Sequence, residues 1–355
     1  MAKRLTVALL FGGRSGEHEV SLRSAASVAR ALLETHDVRP VLIDKSGRWL
    51  LQADVEPQPS GGTAVSLAPM PGDAGRLRRV TDGAELARPD VYFPMLHGTF
   101  GEDGTIQGLF ELAGVPYVGA GVAASAAAMD KEIMKALFAH AGLPQGPWRV
   151  LRGRDAEAEA EIVRELGLPL FVKPANLGSS VAVSKVKAPG DLDRALETAF
   201  RYDTKVLLEA GVEARELEVS VLGNDDPEAS LPGEVVPDRE FYDYDSKYSP
   251  ESRTELVLPA RIDEALVAEI RDLAVAAFRA VCARGYARVD FFLERTTGRL
   301  LVNEINTIPG FTSISMFPKL WELSGLSYPE LLARLVELAV AHHERRRGLS
   351  TDYRG

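Results

Sequence analysis

Two stretches in the last third of the chain alternate apolar and polar positions with a period of two. Arg288-Val289-Asp290-Phe291-Phe292-Leu293-Glu294 and Leu300-Leu301-Val302-Asn303-Glu304-Ile305-Asn306 flank a turn at Thr296-Thr297-Gly298. The pattern predicts a hairpin, because successive side chains on a strand point to opposite faces. Arg288 and Asp290 then share a face, as do Glu304 and Asn306, while Val289, Phe291 and Ile305 point toward a core.

Apolar blocks elsewhere set out the remaining elements. Strands are predicted over 5–11, 38–43 and 91–96, alternating with helices over 21–33 and 105–113. That alternation implies an open, parallel α/β sheet ending near Gly121. The run 123–141 reads as one helix, stopped by Gly142 with Pro144 beyond it. The middle segment is α+β, with strands over 148–151, 170–173, 181–186, 206–209 and 217–222 and helices over 156–166 and 192–201. A long helix over 264–283 precedes the hairpin, a closing helix spans 328–344, and the tail 345–355 is expected to be mobile. The Pro-, Gly- and Ala-rich patch 58–75 reads as a surface insertion.

Length and charge narrow the classes. A chain of 355 residues is too long for one ordinary core, so two or three domains are expected. A formal net charge of −10, without a basic stripe, disfavours nucleic acid and anionic membrane as partners. The single cysteine, Cys282, excludes an internal disulfide, fits a reducing, cytoplasmic compartment, and is expected to be a small core residue. The apolar run 5–11 is too short for a cleavable signal or a membrane span.

The polar clusters suggest chemistry. Two carboxylates and an amide on one hairpin face are costly unless cations neutralise them, and oxygen ligands of this kind suit Mg²⁺. An exposed polar sheet face would alternate in the same way. The turn Gly12-Gly13-Arg14-Ser15-Gly16-Glu17 lies between a strand and a helix and lacks the GxGxxG spacing of a dinucleotide site. Glu17 there suits a substrate ammonium, or simply an acidic helix start. His97 ends a strand, where open α/β sheets bind ligands, and could donate to a substrate or be satisfied by backbone. Lys173-Pro174-Ala175-Asn176-Leu177-Gly178-Ser179-Ser180 places a lysine before a flexible hydroxyl-bearing loop suited to a triphosphate, without the Gly-Lys-Ser/Thr of a P-loop. Lysine is scarce, at ten against 31 arginines, which makes Lys131, Lys173 and Lys247 more informative than usual. The aromatic stretch 241–250, with Lys247 and Tyr248, reads as a lid that excludes water. Beyond the hairpin, Gly310 offers a backbone N–H and Ser315 a hydroxyl.

Taken in order from Gly12 to Ser315, these five motifs resemble the D-alanine–D-alanine ligases of the ATP-grasp superfamily. The resemblance implies three domains, 1–121, 122–222 and 223–355, with ATP held between the second and third. It implies that one D-alanine carboxylate attacks the γ-phosphate of ATP and that the amine of a second D-alanine attacks the acyl phosphate. Glu17 would hold the first ammonium, with His97 nearby. Ser179, Glu17 and Tyr248 would link the domains through hydrogen bonds. Lys131, Lys173, Ser179, Ser180 and Lys247 would serve ATP and its closing loop, with Glu209 reading adenine and Glu216 the ribose. Asp290, Glu304 and Asn306 would hold two Mg²⁺, which Mn²⁺ can replace; a monovalent cation is a further candidate. Arg288 and the Gly310 N–H would stabilise the oxyanion, and Lys247 and Ser315 would bind the second carboxylate. A cytoplasmic homodimer is the family's usual form.

The Lys247-Tyr248 pair resembles the dipeptide-forming type, whereas D-lactate-using relatives typically carry histidine in that loop. Three alternatives remain: another ATP-grasp ligase such as a D-alanine–D-lactate ligase, a dinucleotide-dependent oxidoreductase, and a binding protein without turnover. The second leaves the Asp290/Glu304/Asn306 face unexplained.

Overall fold

The computed structural model describes residues 4–56, 59–178, 181–237 and 254–350. Three sheets follow one another along the chain. The first contains β1 (Thr6–Gly12), β2 (Asp37–Ile43), β3 (Trp49–Leu51), β4 (Thr63–Leu67), β5 (Leu77–Arg79), β6 (Glu85–Ala87) and β7 (Val91–Met95), in the order β6-β5-β4-β3-β2-β1-β7. β2, β1 and β7 are parallel, as the alternation with α1 (His18–Leu32) and α2 (Thr105–Ala113) predicts. The strands from β3 to β6 extend that sheet as an antiparallel meander. The supposed insertion 58–75 therefore supplies β4, a paired strand.

The predicted helix 123–141 is two helices, α3 (Val122–Met129) and α4 (Lys131–His140). Asp130 separates them in an extended conformation and caps α4, accepting the N–H groups of Glu132 and Ile133. A carboxylate in that position satisfies donors that the helix itself leaves unpaired. The break places Lys131 in the first turn of α4.

The middle sheet holds β8 (Trp148–Leu151), β9 (Leu170–Pro174), β10 (Ser184–Val186) and β11 (Val206–Ala210), in the order β10-β9-β11-β8. It packs against α5 (Ala156–Leu166) and α6 (Leu192–Phe200) around its own core, which includes Leu170, Val172, Leu196 and Leu208.

The third sheet runs β15-β14-β12-β16-β17. Its strands are β12 (Ala214–Gly223), β13 (Glu228–Ala229), β14 (Gly233–Val236), β15 (Glu255–Val257), β16 (Gly285–Glu294) and β17 (Leu300–Asn306), with β13 pairing β12. The sequence reading grouped 217–222 with the middle segment, but these residues lie in β12, which pairs with β16 along its whole length. The middle sheet thus ends before the expected boundary at 222. Helices α7 (Glu264–Ala280), α8 (Met316–Leu323) and α9 (Tyr328–Arg347) complete this part. Arg345, expected in a mobile tail, belongs to α9. Cys282 is exposed just past α7, in a left-handed conformation at φ 57°, and is not a core residue.

The first and third sheets share one core. Phe93, Phe311, Tyr286 and Phe317 are buried in a single cluster with residues of α1 and α9. Tyr286 meets Phe311 edge-on at 5.5 Å, a favoured aromatic geometry. Backbones also approach closely, since a Cβ on Gly285 would lie 3.0 Å from the Gly119 Cα. The middle sheet, with its separate core, closes over the other side of a cleft.

Candidate active site

The cleft between the middle and third sheets holds a cavity of about 700 Å³. Its walls include Lys131, Lys173, Glu209, Glu216, Asp290 and Glu304. A volume in this range accommodates a nucleotide-sized ligand.

The hairpin face is built as its alternation predicts. Asp290 stands opposite Glu304, and Arg288 opposite Asn306. A bulge after Asp290 pairs Phe291 with Val302, which leaves Asn303 as the extra residue on β17. On the other side of β16, Glu218 stands opposite Asp290. Three carboxylates therefore lie side by side across β12, β16 and β17. Arg288 is the neutralising cation: it donates to both oxygens of Asp290 at 2.6 and 2.7 Å and lies 3.0 Å from Glu218. Burial opposes its charge, but Asp290 and Glu218 hold its pKa well above the usual arginine value. The Asn306 amide donates to Asp290 Oδ2 at 3.0 Å.

Among the described residues, no three His, Cys, Asp or Glu side chains converge as a metal cluster. The expected set is two carboxylates and an amide. All three residues line the cavity, and their hard oxygens share one sheet face, so the donor chemistry fits a hard cation such as Mg²⁺.

Lysines line the opposite wall. Lys131 is buried and donates to the Leu177 carbonyl at 2.6 Å, which ties α4 to the loop after β9. Its pKa is lowered by burial, which Glu304 partly offsets. Glu209, expected at the adenine, pairs with Lys173 and with Lys135, the latter at 2.5 Å. Burial disfavours its charge, yet the two lysines hold its carboxyl down at about 2. Glu216 lies on β12 opposite Phe292.

A second cluster sits at the carboxyl edge of the first sheet. Glu17 is only 7% exposed and immediately precedes α1. A Cβ on Gly98 would lie 2.6 Å from Glu17 Oε2, and one on Gly178 would lie 3.1 Å from it. The two glycines thus bring the turn after β7 and the loop after β9 onto one carboxylate. His97 is buried; its Nδ1 contacts the Ile308 carbonyl at 2.9 Å and its Nε2 the Ser24 hydroxyl at 3.0 Å. Both ring nitrogens are satisfied by the protein, and burial lowers the ring's pKa. Beyond the hairpin, a Cβ on Gly310 would meet Ser315 Oγ at 3.4 Å, and Ser315 Oγ accepts the Thr312 N–H at 3.1 Å.

The structure therefore brings Lys131, Lys173, Glu209, Glu216, Arg288, Asp290, Glu304 and Asn306 to one cavity. Glu17 and His97 gather beside it, and Gly310 stands next to Ser315. Ser179, Ser180, Lys247 and Tyr248 lie outside the described residues. Sequence reasoning missed three charged groups. Lys135 lies one helical turn after Lys131, a spacing that the scarcity of lysine could have flagged. Glu218 follows Glu216 by two on the same strand face. Glu102, inside the turn after His97, lines the cavity; burial, then the charge of Glu17, pushes its carboxyl up to about 8.

Comparison with known proteins agrees with this architecture. Residues 6–120 match the family model for the D-ala D-ala ligase N-terminus, and 137–337 the model for the C-terminus. A D-alanine–D-alanine ligase from Heliobacterium modesticaldum is 49% identical over 358 residues, covering 98% of each chain. One from Deinococcus radiodurans is 52% identical over 341 residues, covering 94% of this chain and 98% of the relative. Among solved structures, the D-alanine–D-alanine ligase of Coxiella burnetii superposes with a TM-score of 0.83 at 38% identity, covering 97% of each chain. A D-Ala:D-Ser ligase from Enterococcus faecalis superposes at 0.85 with 34% identity, covering 95% of this chain and all of that one. With both family models matched in order over a three-sheet fold of the same shape, the chain belongs to the D-alanine–D-alanine ligase family.

Proposed function

We propose that the protein joins two D-alanine molecules into D-alanyl-D-alanine with consumption of ATP, as a cytoplasmic homodimer supplying peptidoglycan precursors. The observation that carries this reading is the placing of Glu17 beside Gly178. The carboxylate suited to a substrate ammonium lies against the same loop that Lys131 ties to the nucleotide cavity.

The residues act as follows on this reading. The cavity takes ATP, with Lys131 and Lys173 on its phosphates, Glu209 on adenine and Glu216 on the ribose. Asp290, Glu304 and Asn306 would hold two Mg²⁺, which would supply charge neutralisation for phosphoryl transfer, a step that depends mainly on positioning and electrostatics. Glu17 orients the first D-alanine so that its carboxylate oxygen attacks the γ-phosphorus and ADP leaves. The second amine then attacks the acyl carbon. Arg288 and the Gly310 N–H face the oxyanion that forms there. The C–O bond to phosphate breaks, leaving the dipeptide. By the family resemblance Ser179, Ser180 and Tyr248 would serve closure over ATP, and Ser315 with Lys247 would hold the second carboxylate. The domains divide near residues 121 and 211, since the middle sheet ends at Ala210.

The test is incubation of the purified protein with ATP, Mg²⁺ and D-alanine, L-alanine or no amino acid, with phosphate release and product mass followed together. D-alanine-dependent release with dipeptide supports the reading. Release only when D-lactate or D-serine joins D-alanine would reassign the second substrate. Sedimentation at working concentration tests the dimer.

A further inference from the structure

The turn after β7 grips the peptide backbone of Ile308 from two sides. His97 Nδ1 lies 2.9 Å from the Ile308 carbonyl, and the Ile308 N–H donates to Glu102 Oε1 at 3.0 Å. A carbonyl oxygen only accepts, so Nδ1 carries the proton. Nε2 is then the acceptor for the Ser24 hydroxyl, 3.0 Å away on α1. The other carboxylate oxygen, Glu102 Oε2, accepts the Gly98 N–H at 2.7 Å, which fixes the acid within its own turn. The His97 carbonyl is held as well, by the Ser15 hydroxyl at 2.7 Å.

Ile308 stands two residues after Asn306 and two before Gly310. The segment that follows is anchored twice more: the Ser313 N–H donates to Ser27 Oγ on α1, and Tyr328 OH, at the start of α9, donates to the Phe311 carbonyl. Between these anchors lies the chain carrying Gly310. We propose that His97 and Glu102 are positioning residues that clamp the Ile308 peptide and so aim the Gly310 N–H and Ser315, which makes the clamp specific to the amine-transfer half of the reaction. This deepens the ligase reading and rests on it. His97 then acts through the loop and not as a donor to substrate.

The chemistry predicts a particular failure. With the clamp loosened, ATP still phosphorylates the first carboxylate, because Lys131 and Lys173 lie on α4 and β9, away from the clamped turn. Water then competes with the second amine: its oxygen bonds to the acyl carbon, the C–O bond to phosphate breaks, and D-alanine is regenerated. ATP is consumed without dipeptide.

The experiment counts ADP and dipeptide in the same reaction for wild type, His97→Ala, His97→Asn, Glu102→Ala and Ser24→Ala, with the pH–rate profile recorded for each. Wild type gives one ADP per dipeptide. His97→Ala and Glu102→Ala are expected to lower dipeptide turnover by about thirtyfold or more, to raise ADP per dipeptide severalfold, and to leave the KM for ATP nearly unchanged. His97→Asn keeps a donor close to the Nδ1 position and recovers most of the coupling. Ser24→Ala, a small change that leaves the clamp residues in place, shifts coupling in the same direction by less. The proposal is overturned if coupling stays at one to one in all variants, or if His97→Asn and His97→Ala are equally impaired and both lose a limb of the pH profile, which would make His97 a proton carrier. Wild-type protein that forms no ADP with D-alanine would overturn the ligase reading, and the clamp's role in amine transfer with it.

Discussion

Lys135 Nζ lies 2.5 Å from Glu209 Oε1, with the lysine 2% exposed and Lys173 on the same carboxylate. Hydrogen bonds to charged groups contribute about 1.5–3 kcal/mol, and removing one partner leaves the other to bear its desolvation. Lys135→Met is expected to cost about 2 kcal/mol, less than a fully orphaned charge would, because Lys173 remains. Urea unfolding at constant m value measures it. The KM for ATP should rise in the same variant, whereas Lys135→Arg recovers part of the loss.

The same pair gives acid sensitivity a direction. Glu209 is held at about 2, below the ordinary 4.5, so between those values the unfolded chain binds the extra proton. The pair's contribution is complete above about pH 4.5 and is lost as pH falls toward 2. Lys135→Met should therefore narrow the stability difference between pH 5 and pH 3, as followed by thermal melting; an unchanged difference would place the acid response elsewhere.

Gly98 has φ 75°, and a Cβ there would meet Glu17 Oε2 at 2.6 Å. Gly98→Ala should displace the carboxylate and raise the KM for the first D-alanine about tenfold, equivalent to ~1.4 kcal/mol. ATP binding, read by a fluorescent analogue, should be preserved. Equal losses for both substrates would detach Glu17 from its assigned role.

Arg288 contacts both Asp290 and Glu218. Arg288→Ala should lower kcat on the order of a hundredfold or more while ATP affinity changes little, because an oxyanion donor acts in the transition state. Arg288→Lys keeps the charge but not the two-pronged contact, and should rescue only a fraction.

The hairpin was legible because strand alternation is strict: one phase puts Arg288, Asp290, Glu304 and Asn306 together, and the register bears this out. Even the bulge, which no pattern announced, leaves Glu304 and Asn306 on that face. The parallel start of the first sheet was legible for a different reason: short apolar strand blocks alternate with helices. The meander from β3 to β6 was not, since three of its strands have only three residues and show too little periodicity to stand out. The break at Asp130 was hidden by an alanine-rich run with uniform helix propensity; the one signal was a capping carboxylate. Lys135 and Glu102 were missed because their partners, Glu209 and Ile308, are distant in sequence, and only the fold joins them.

Ligation through an acyl phosphate carries one oxygen of the first D-alanine carboxylate into the phosphate. The most direct measurement supplies D-alanine labelled with ¹⁸O in its carboxylate, together with unlabelled ATP and Mg²⁺, and weighs the phosphate released. The account predicts one labelled oxygen in each phosphate, formed together with D-alanyl-D-alanine. Unlabelled phosphate accompanying the dipeptide would contradict it.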